Sequence, residues 1–217
     1  MHARRILHRD VKLENVLLDA SGFVRLTDFN VAKIMEERRT YSMKGTLFCM
    51  APEVILKKGH DAAADFWSYG VLIFEMVTGV PPFFSDDKQE LKRRILGIDP
   101  SQVSLLFPPD VPAACRVLLA QLFVRDPKHR LGGRKQDVPL IKAHPFFGAL
   151  LWEQLHAKRL TSPLRAPIEA LLASRAVGGH RPKRALLNSA DQDMAPSYLS
   201  QQHSTLVQGW DYVADSK

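Results

Sequence analysis

Two short apolar runs near the start of the chain, Val16-Leu17-Leu18 and Phe23-Val24-Arg25-Leu26, flank Asp19-Ala20-Ser21-Gly22. Runs of that length around such a turn read as a β-hairpin. The pattern then changes. Residues 65–78 are apolar nearly all round and stop at Gly79 ahead of Pro81-Pro82, which predicts a buried helix ended by glycine. Residues 88–96, stopped at Gly97, and 113–123, opened by Pro112, read as further helices, with Phe107-Pro108-Pro109 in the link between them. From about Glu153 the pattern loosens, and Pro163, Pro167, Gly178-Gly179 and a polar run through Ser200 predict a tail that wraps over another surface. The expected fold class is mainly α with one small β-hairpin.

Composition narrows the setting more than the fold. With 217 residues, 46% of them hydrophobic, the chain can bury a substantial core, and its length suits one or two domains. No stretch approaches a membrane span, and the first seven residues lack the apolar region of a secretory signal. Two cysteines, Cys49 and Cys115, are too few for a disulfide framework and lack metal-site spacing, so both are expected as packing residues in a reducing, cytoplasmic or nuclear, setting. The net charge of +7 permits a nucleic-acid partner. Its distribution argues against one: basic residues are scattered, and the single cluster at Arg181, Lys183 and Arg184 has no interleaved aromatics to stack bases.

Chemistry gathers around the hairpin. Asp10, Lys12 and Asn15 fall within one loop before the first apolar run, and Asp28 follows the second, so closing the hairpin brings Asn15 and Asp28 side by side. An amide oxygen and a carboxylate converging in this way suit a hard cation such as magnesium, and a nearby lysine and second carboxylate suit phosphoryl transfer.

These residues resemble the protein-kinase signatures, here His8-Arg9-Asp10 with Asn15, followed by Asp28-Phe29-Asn30. The resemblance implies that Asp10 orients the acceptor hydroxyl and takes its proton, Lys12 neutralises the transferring phosphate, Asn15 and Asp28 hold Mg2+, and ATP is the donor. It gives His8 a packing role beneath Phe29. Asn30 departs from the glycine usual at its position; asparagine tolerates positive φ best among the other residues, so it is expected to preserve the backbone there. Met1-His2-Ala3-Arg4-Arg5-Ile6-Leu7 matches the last turn of the helix leading into the catalytic loop, and the chain is therefore expected to be a fragment that starts in mid-domain.

Further matches concern regulation and specificity. The polar stretch after Asp28 closes on Ala51-Pro52-Glu53 and is similar to an activation segment, with Ser42 in the place of the activating phosphate and Arg9 and Lys33 in the positions that bind it. Thr40 and Tyr41 crowd the same stretch. Thr46 matches the residue that contacts the catalytic Asp and Lys in Ser/Thr-directed kinases. Glu14 and Glu75 match the acidic pair that meets a substrate arginine, which implies basic substrates. Asp65 is expected to bind the catalytic-loop backbone, and Glu53 to pair with Arg130.

Residues 134–152 end in His144-Pro145-Phe146-Phe147 and Trp152, which resembles the close of the catalytic domain in the AGC group of Ser/Thr kinases. Val207, Trp210, Asp211 and Tyr212 are similar to that group's hydrophobic motif. The expected organisation is the carboxy-terminal lobe of a kinase over 1–152 and an AGC tail over 153–217. Protein substrates and an upstream activating kinase are the implied partners. The competing reading is a pseudokinase-like or truncated module that binds partners without catalysis.

Overall fold

The computed structural model describes residues 1–97, 107–109, 111–134, 137–148 and 150–177. The cluster at Arg181, Lys183 and Arg184 and the motif at Val207, Trp210, Asp211 and Tyr212 lie outside these residues. Two compact units are distinct: one comprises Met1–Val16 and Leu26–Gly148, the other Leu17–Arg25 and the described residues from 150 onward.

In the first unit, strand β1 (Ile6–Leu7) pairs antiparallel with β4 (Lys33–Ile34), placing Ile6 opposite Ile34 and Leu7 opposite Lys33. The hairpin is made by β2 (Val16–Leu18) and β3 (Val24–Leu26), of which Leu17–Arg25 belong to the second unit. Five helices follow: α1 (Pro52–Ile55), α2 (Ala62–Thr78), α3 (Lys88–Gly97), α4 (Ala113–Leu122) and α5 (Asp137–Lys142). The mainly helical architecture is the one that the hydrophobic pattern predicts.

Helix α2 is the centre of the core. The Asp61 side chain caps its first turn by accepting from Ala63 N, and Gly79 ends it with a φ of 80°. Between these caps Trp67, Val71, Ile73 and Phe74 are buried, and they join Cys115, Leu118, Leu119 and Leu122 of α4 in one apolar cluster. Trp67 stacks on Phe83 at 5.6 Å between ring centroids and meets Phe123 edge-on at 5.2 Å. The 3.6-residue period of α3 brings Leu91 and Ile95 into this core and leaves Glu90, Arg93 and Arg94 to pair at its surface. Cys49 and Cys115 are buried free thiols, and burial pushes both up in pKa, so they act as apolar packing groups.

Two expectations need correction. The first seven residues are not a helix end running into the loop. A short 3-10 turn, His2–Arg4, gives way at Arg5 to a left-handed residue (φ 56°) and then to β1, because β4 offers Ile6 and Leu7 a backbone partner. The second correction is in the tail, which is more regular than its prolines suggest: α6 (Trp152–His156) and α7 (Arg165–Val177) are helices. Pro167 is the third residue of α7, where its missing N–H and fixed φ are tolerated in the first turn.

Candidate active site

The site begins with a buried carboxylate that holds backbone. Asp65, in the first turn of α2, accepts from the backbone N–H of His8 at 2.9 Å and of Arg9 at 2.8 Å, and from His2 Nε2 at 2.7 Å. Burial alone pushes its pKa up, but these donors outweigh it and hold the carboxyl below its ordinary value. Arg9 sits at a φ of 67°, a left-handed conformation that this clamp stabilises. His8 is fully buried, accepts from Asp10 N at Nδ1 (3.3 Å), donates from Nε2 to Thr27 O (2.9 Å) and packs edge-on against Phe29 at 4.9 Å.

The loop so held presents Asp10. Its Oδ1 accepts from Thr46 N at 2.8 Å, and its Oδ2 lies 3.0 Å from Lys12 Nζ and 3.1 Å from Asn15 Nδ2. Lys12 Nζ also donates to Thr46 Oγ1 at 2.7 Å, so Asp10, Lys12 and Thr46 form a closed triangle. Desolvation raises the Asp10 pKa, yet hydrogen bonds from Thr46 and Lys12 prevail and keep it below the ordinary carboxylate value. Asp10 is therefore an ionised acceptor at neutral pH and only a weak base. The close approach of Thr46 depends on Gly45, whose φ is 107° and whose hypothetical Cβ would lie 2.1 Å from Arg9 O.

Asn15 donates from Nδ2 to the Asp10 carbonyl as well, at 2.8 Å, which leaves its amide oxygen as the acceptor. Across the hairpin, Thr27 returns two bonds to the Asn15 carbonyl, from its amide at 2.9 Å and its hydroxyl at 3.1 Å. Asp28 is thereby set one residue along from that junction, exposed, with Asn30 N near its Oδ1 at 3.3 Å. The left-handed residue of this stretch is Asp28 (φ 60°), and Asn30 is not among the residues with positive φ. The expectation about Asn30 is thus corrected: the turn takes its strain two residues earlier, and Asn30 needs no special tolerance.

The activation-like stretch reaches the loop through Arg9. Its Nη1 donates to Ser42 Oγ at 2.6 Å and its Nε to Val31 O at 2.5 Å. Lys33 does not meet Ser42 directly; its Nζ donates to Thr40 Oγ1 at 3.0 Å, and Thr40 Oγ1 lies 3.3 Å from Ser42 Oγ. Thr40 is buried and paired through its backbone to His60, whereas Ser42 is exposed.

Two acidic residues complete the picture. Glu53 pairs twice with Arg130, at 2.7 and 2.9 Å, and Arg130 places its remaining N–H groups on the carbonyls of Ala63, Val124 and Arg125. All five guanidinium donors are satisfied in a fully buried position. Glu75 is the opposite case. Its Oε2 is buried with no hydrogen-bond partner among the described residues, and burial, with Glu14 repelling it, pushes its pKa up to about 7. His2 was not foreseen as part of this network; a lone histidine six residues before the catalytic loop gives no signal until Asp65 folds onto it.

The family model for the protein kinase domain matches residues 1–147. The chain belongs to the protein kinase family. Among its relatives are the human ribosomal protein S6 kinase alpha-4, 42% identical over 180 residues, and the chicken ribosomal protein S6 kinase 2 alpha, 40% identical over 170. The first alignment covers 79% of this chain and 23% of the relative, the second 77% and 22%, so the chain spans less than a quarter of either protein. These Ser/Thr-kinase relatives agree with the AGC-like features of the sequence. Protein kinases as a family use ATP with Mg2+ and act on protein substrates. No helix among the described residues is long and apolar enough to cross a membrane.

Proposed function

We propose that this chain forms the catalytic-loop side of a protein serine/threonine kinase that transfers the γ-phosphoryl group of ATP to basic protein substrates. The observation that carries this reading is the Asp10–Lys12–Thr46 triangle on a loop clamped by Asp65. The acceptor hydroxyl donates a hydrogen bond to Asp10 and is thereby aligned. As its oxygen bonds to phosphorus and the bond to the departing ADP oxygen breaks, its proton passes to Asp10. A weakly basic carboxylate suits this role, because little proton transfer precedes a loose transition state. Lys12, anchored between Asp10 and Thr46, offsets the negative charge on the moving group.

Asn15 and Asp28 fit a magnesium ion: each offers a hard oxygen, and the Asp28 carboxylate is exposed and only lightly engaged. When bound, the metal neutralises and orients the donor phosphates. Glu14 and Glu75 supply an acidic patch whose unpartnered oxygen suits a substrate guanidinium. Ser42, exposed and already on Arg9, is the acceptor for an upstream activating kinase, and Lys33 reaches it through Thr40. Residues 1–152 serve as the catalytic lobe and 153–217 as the AGC-type tail. The buried free thiols of Cys49 and Cys115 suit a reducing, cytoplasmic environment.

The test joins this chain to the nucleotide-binding lobe of one of its relatives and measures phosphate transfer to an arginine-rich serine peptide. Asp10→Asn should lower kcat by roughly 100-fold or more with little change in folding. No transfer, or transfer indifferent to Asp10→Asn, would overturn the catalytic reading.

A further inference from the structure

The second unit contains a contact that the catalytic reading leaves unused. Lys158 Nζ pairs with Asp19 Oδ2 at 2.7 Å and sits 4.9 Å from the centre of the Phe23 ring. Four residues on, Ser162 Oγ donates to the Gly22 carbonyl at 2.9 Å. The fit at Gly22 is close: its φ is 82°, and a Cβ there would lie 2.6 Å from Ser162 Oγ and 3.0 Å from Arg165 N. The tail is thus pinned to the hairpin turn by one ion pair and one hydroxyl.

That hydroxyl is followed by Pro163 and lies outside any helix or strand, with Thr161, Pro163 and Leu164 exposed around it. A serine directly before proline, in an irregular and accessible segment, has the form that a proline-directed kinase accepts, since proline offers no N–H for a pocket to satisfy. Ser162 Oγ also accepts from Leu164 N at 3.2 Å, just before α7. The one oxygen therefore stands between two environments: an acceptor carbonyl in the hairpin turn, and the N-terminal end of a helix.

We propose that Ser162 is a phosphorylation site for a proline-directed Ser/Thr kinase, and that its phosphate releases the tail from the hairpin turn. In the modification the Ser162 O–H bond breaks and its proton leaves to the modifying kinase. A P–O bond forms to the γ-phosphorus of ATP as the bond to the departing ADP breaks. The product has no hydrogen to give the Gly22 carbonyl. Its oxygens would face the Gly22 carbonyl, acceptor against acceptor, while the cations of the turn, Lys158 and Arg25, are already committed to Asp19. Toward α7 the phosphate's charge is favourable, meeting backbone N–H groups and the positive end of the helix. Phosphate thus moves Ser162 from pinning the turn to capping the helix.

The experiment treats the full 217-residue chain with an active proline-directed kinase and Mg-ATP. Fragment mass spectrometry should place one phosphate on Ser162, absent in Ser162→Ala and strongly reduced in Pro163→Ala. Amide hydrogen exchange in residues 19–25 should rise about fivefold on phosphorylation, the factor for one lost neutral hydrogen bond. Unmodified Ser162→Ala should show a similar rise, with α2 unchanged in both. Phosphate on Thr161 in place of Ser162, no phosphate at all, or a phosphorylated Ser162 with unaltered exchange at the turn would each overturn the proposal.

Discussion

Asp65 and Glu75 stand on the same helix, the first buried and the second half-buried with one oxygen shut off from water, yet their surroundings could hardly differ more. Asp65 has a donor for each oxygen and is held below its ordinary pKa; Glu75 has an oxygen with no partner and is pushed up to about 7. Asp65 has become scaffold, since its charge is consumed in fixing the backbone of His8 and Arg9. Glu75 has been left with unmet demand, which a cation arriving from outside can satisfy. Glu53, locked to Arg130, belongs with Asp65. A buried carboxylate with both oxygens hydrogen-bonded organises the fold, and on the proposed reading the one with an unpartnered oxygen is where a substrate cation would bind.

The largest effect that should separate these classes is at Glu53. Glu53→Ala strands a fully buried guanidinium and should cost about 4 kcal/mol in urea unfolding, followed by tryptophan fluorescence with Trp152 and Trp210 replaced by Phe so that only Trp67 reports. A loss no greater than that of a surface glutamate would remove Glu53 from the scaffold class. Asp65→Asn comes next, at about 2–3 kcal/mol, because two backbone donors lose a charged acceptor. Its pH dependence has a definite sign. A carboxyl with a depressed folded pKa stabilises above its unfolded value, near 3.9, and that contribution disappears as pH falls through the folded pKa. The gap between wild type and Asp65→Asn should therefore be full at pH 6 and shrink below pH 4.

Glu75 should behave in the reverse sense. Its folded pKa is raised from 4.5 to about 7, so ionising it costs stability progressively as pH climbs between these values. Glu75→Gln should leave thermal stability nearly unchanged at pH 4 and raise it at pH 8 by about 1 kcal/mol, a figure reduced for the partial exposure of the group. Constant or negative effects across that range would place Glu75 with the scaffold. The smallest change sharpens the cause: Glu14→Gln should lower the Glu75 midpoint by less than about half a unit, since burial is the larger influence and Glu14 is exposed. Carboxyl titration by NMR reads this directly, and a larger drop would make mutual repulsion the main cause.

The hydrophobic pattern made the central helices and the hairpin legible, because a continuously apolar run with a glycine stop has few other solutions. The contacts among Asp10, Lys12 and Asn15 were legible for a different reason: the three fall within one short loop, although Asp65 and Thr46 from distant segments fix that loop's conformation. Besides the part of His2, three features of the backbone were not legible. The β1–β4 pair consists of only two residue pairs contributed by segments far apart in sequence, so neither strand carries a periodic signal. Helix α7 was hidden by Pro167, whose acceptability depends on its falling in the first turn. The positive φ at Asp28 in place of residue 30 is decided by how the hairpin base meets the loop, which no local propensity encodes.

The backbone bridge between Thr40 and His60, bonded in both directions at 2.9 and 2.8 Å, has a consequence in terms of competition. Ser42 lies two residues beyond this anchor, a length of chain that spans at most about 7 Å. A phosphate placed there would meet Arg9 as a tethered ligand, at an effective concentration in the ~mM range or above. Micromolar phosphopeptides or other anions in solution could not displace it. The message written on Ser42 would stay within the molecule that carries it.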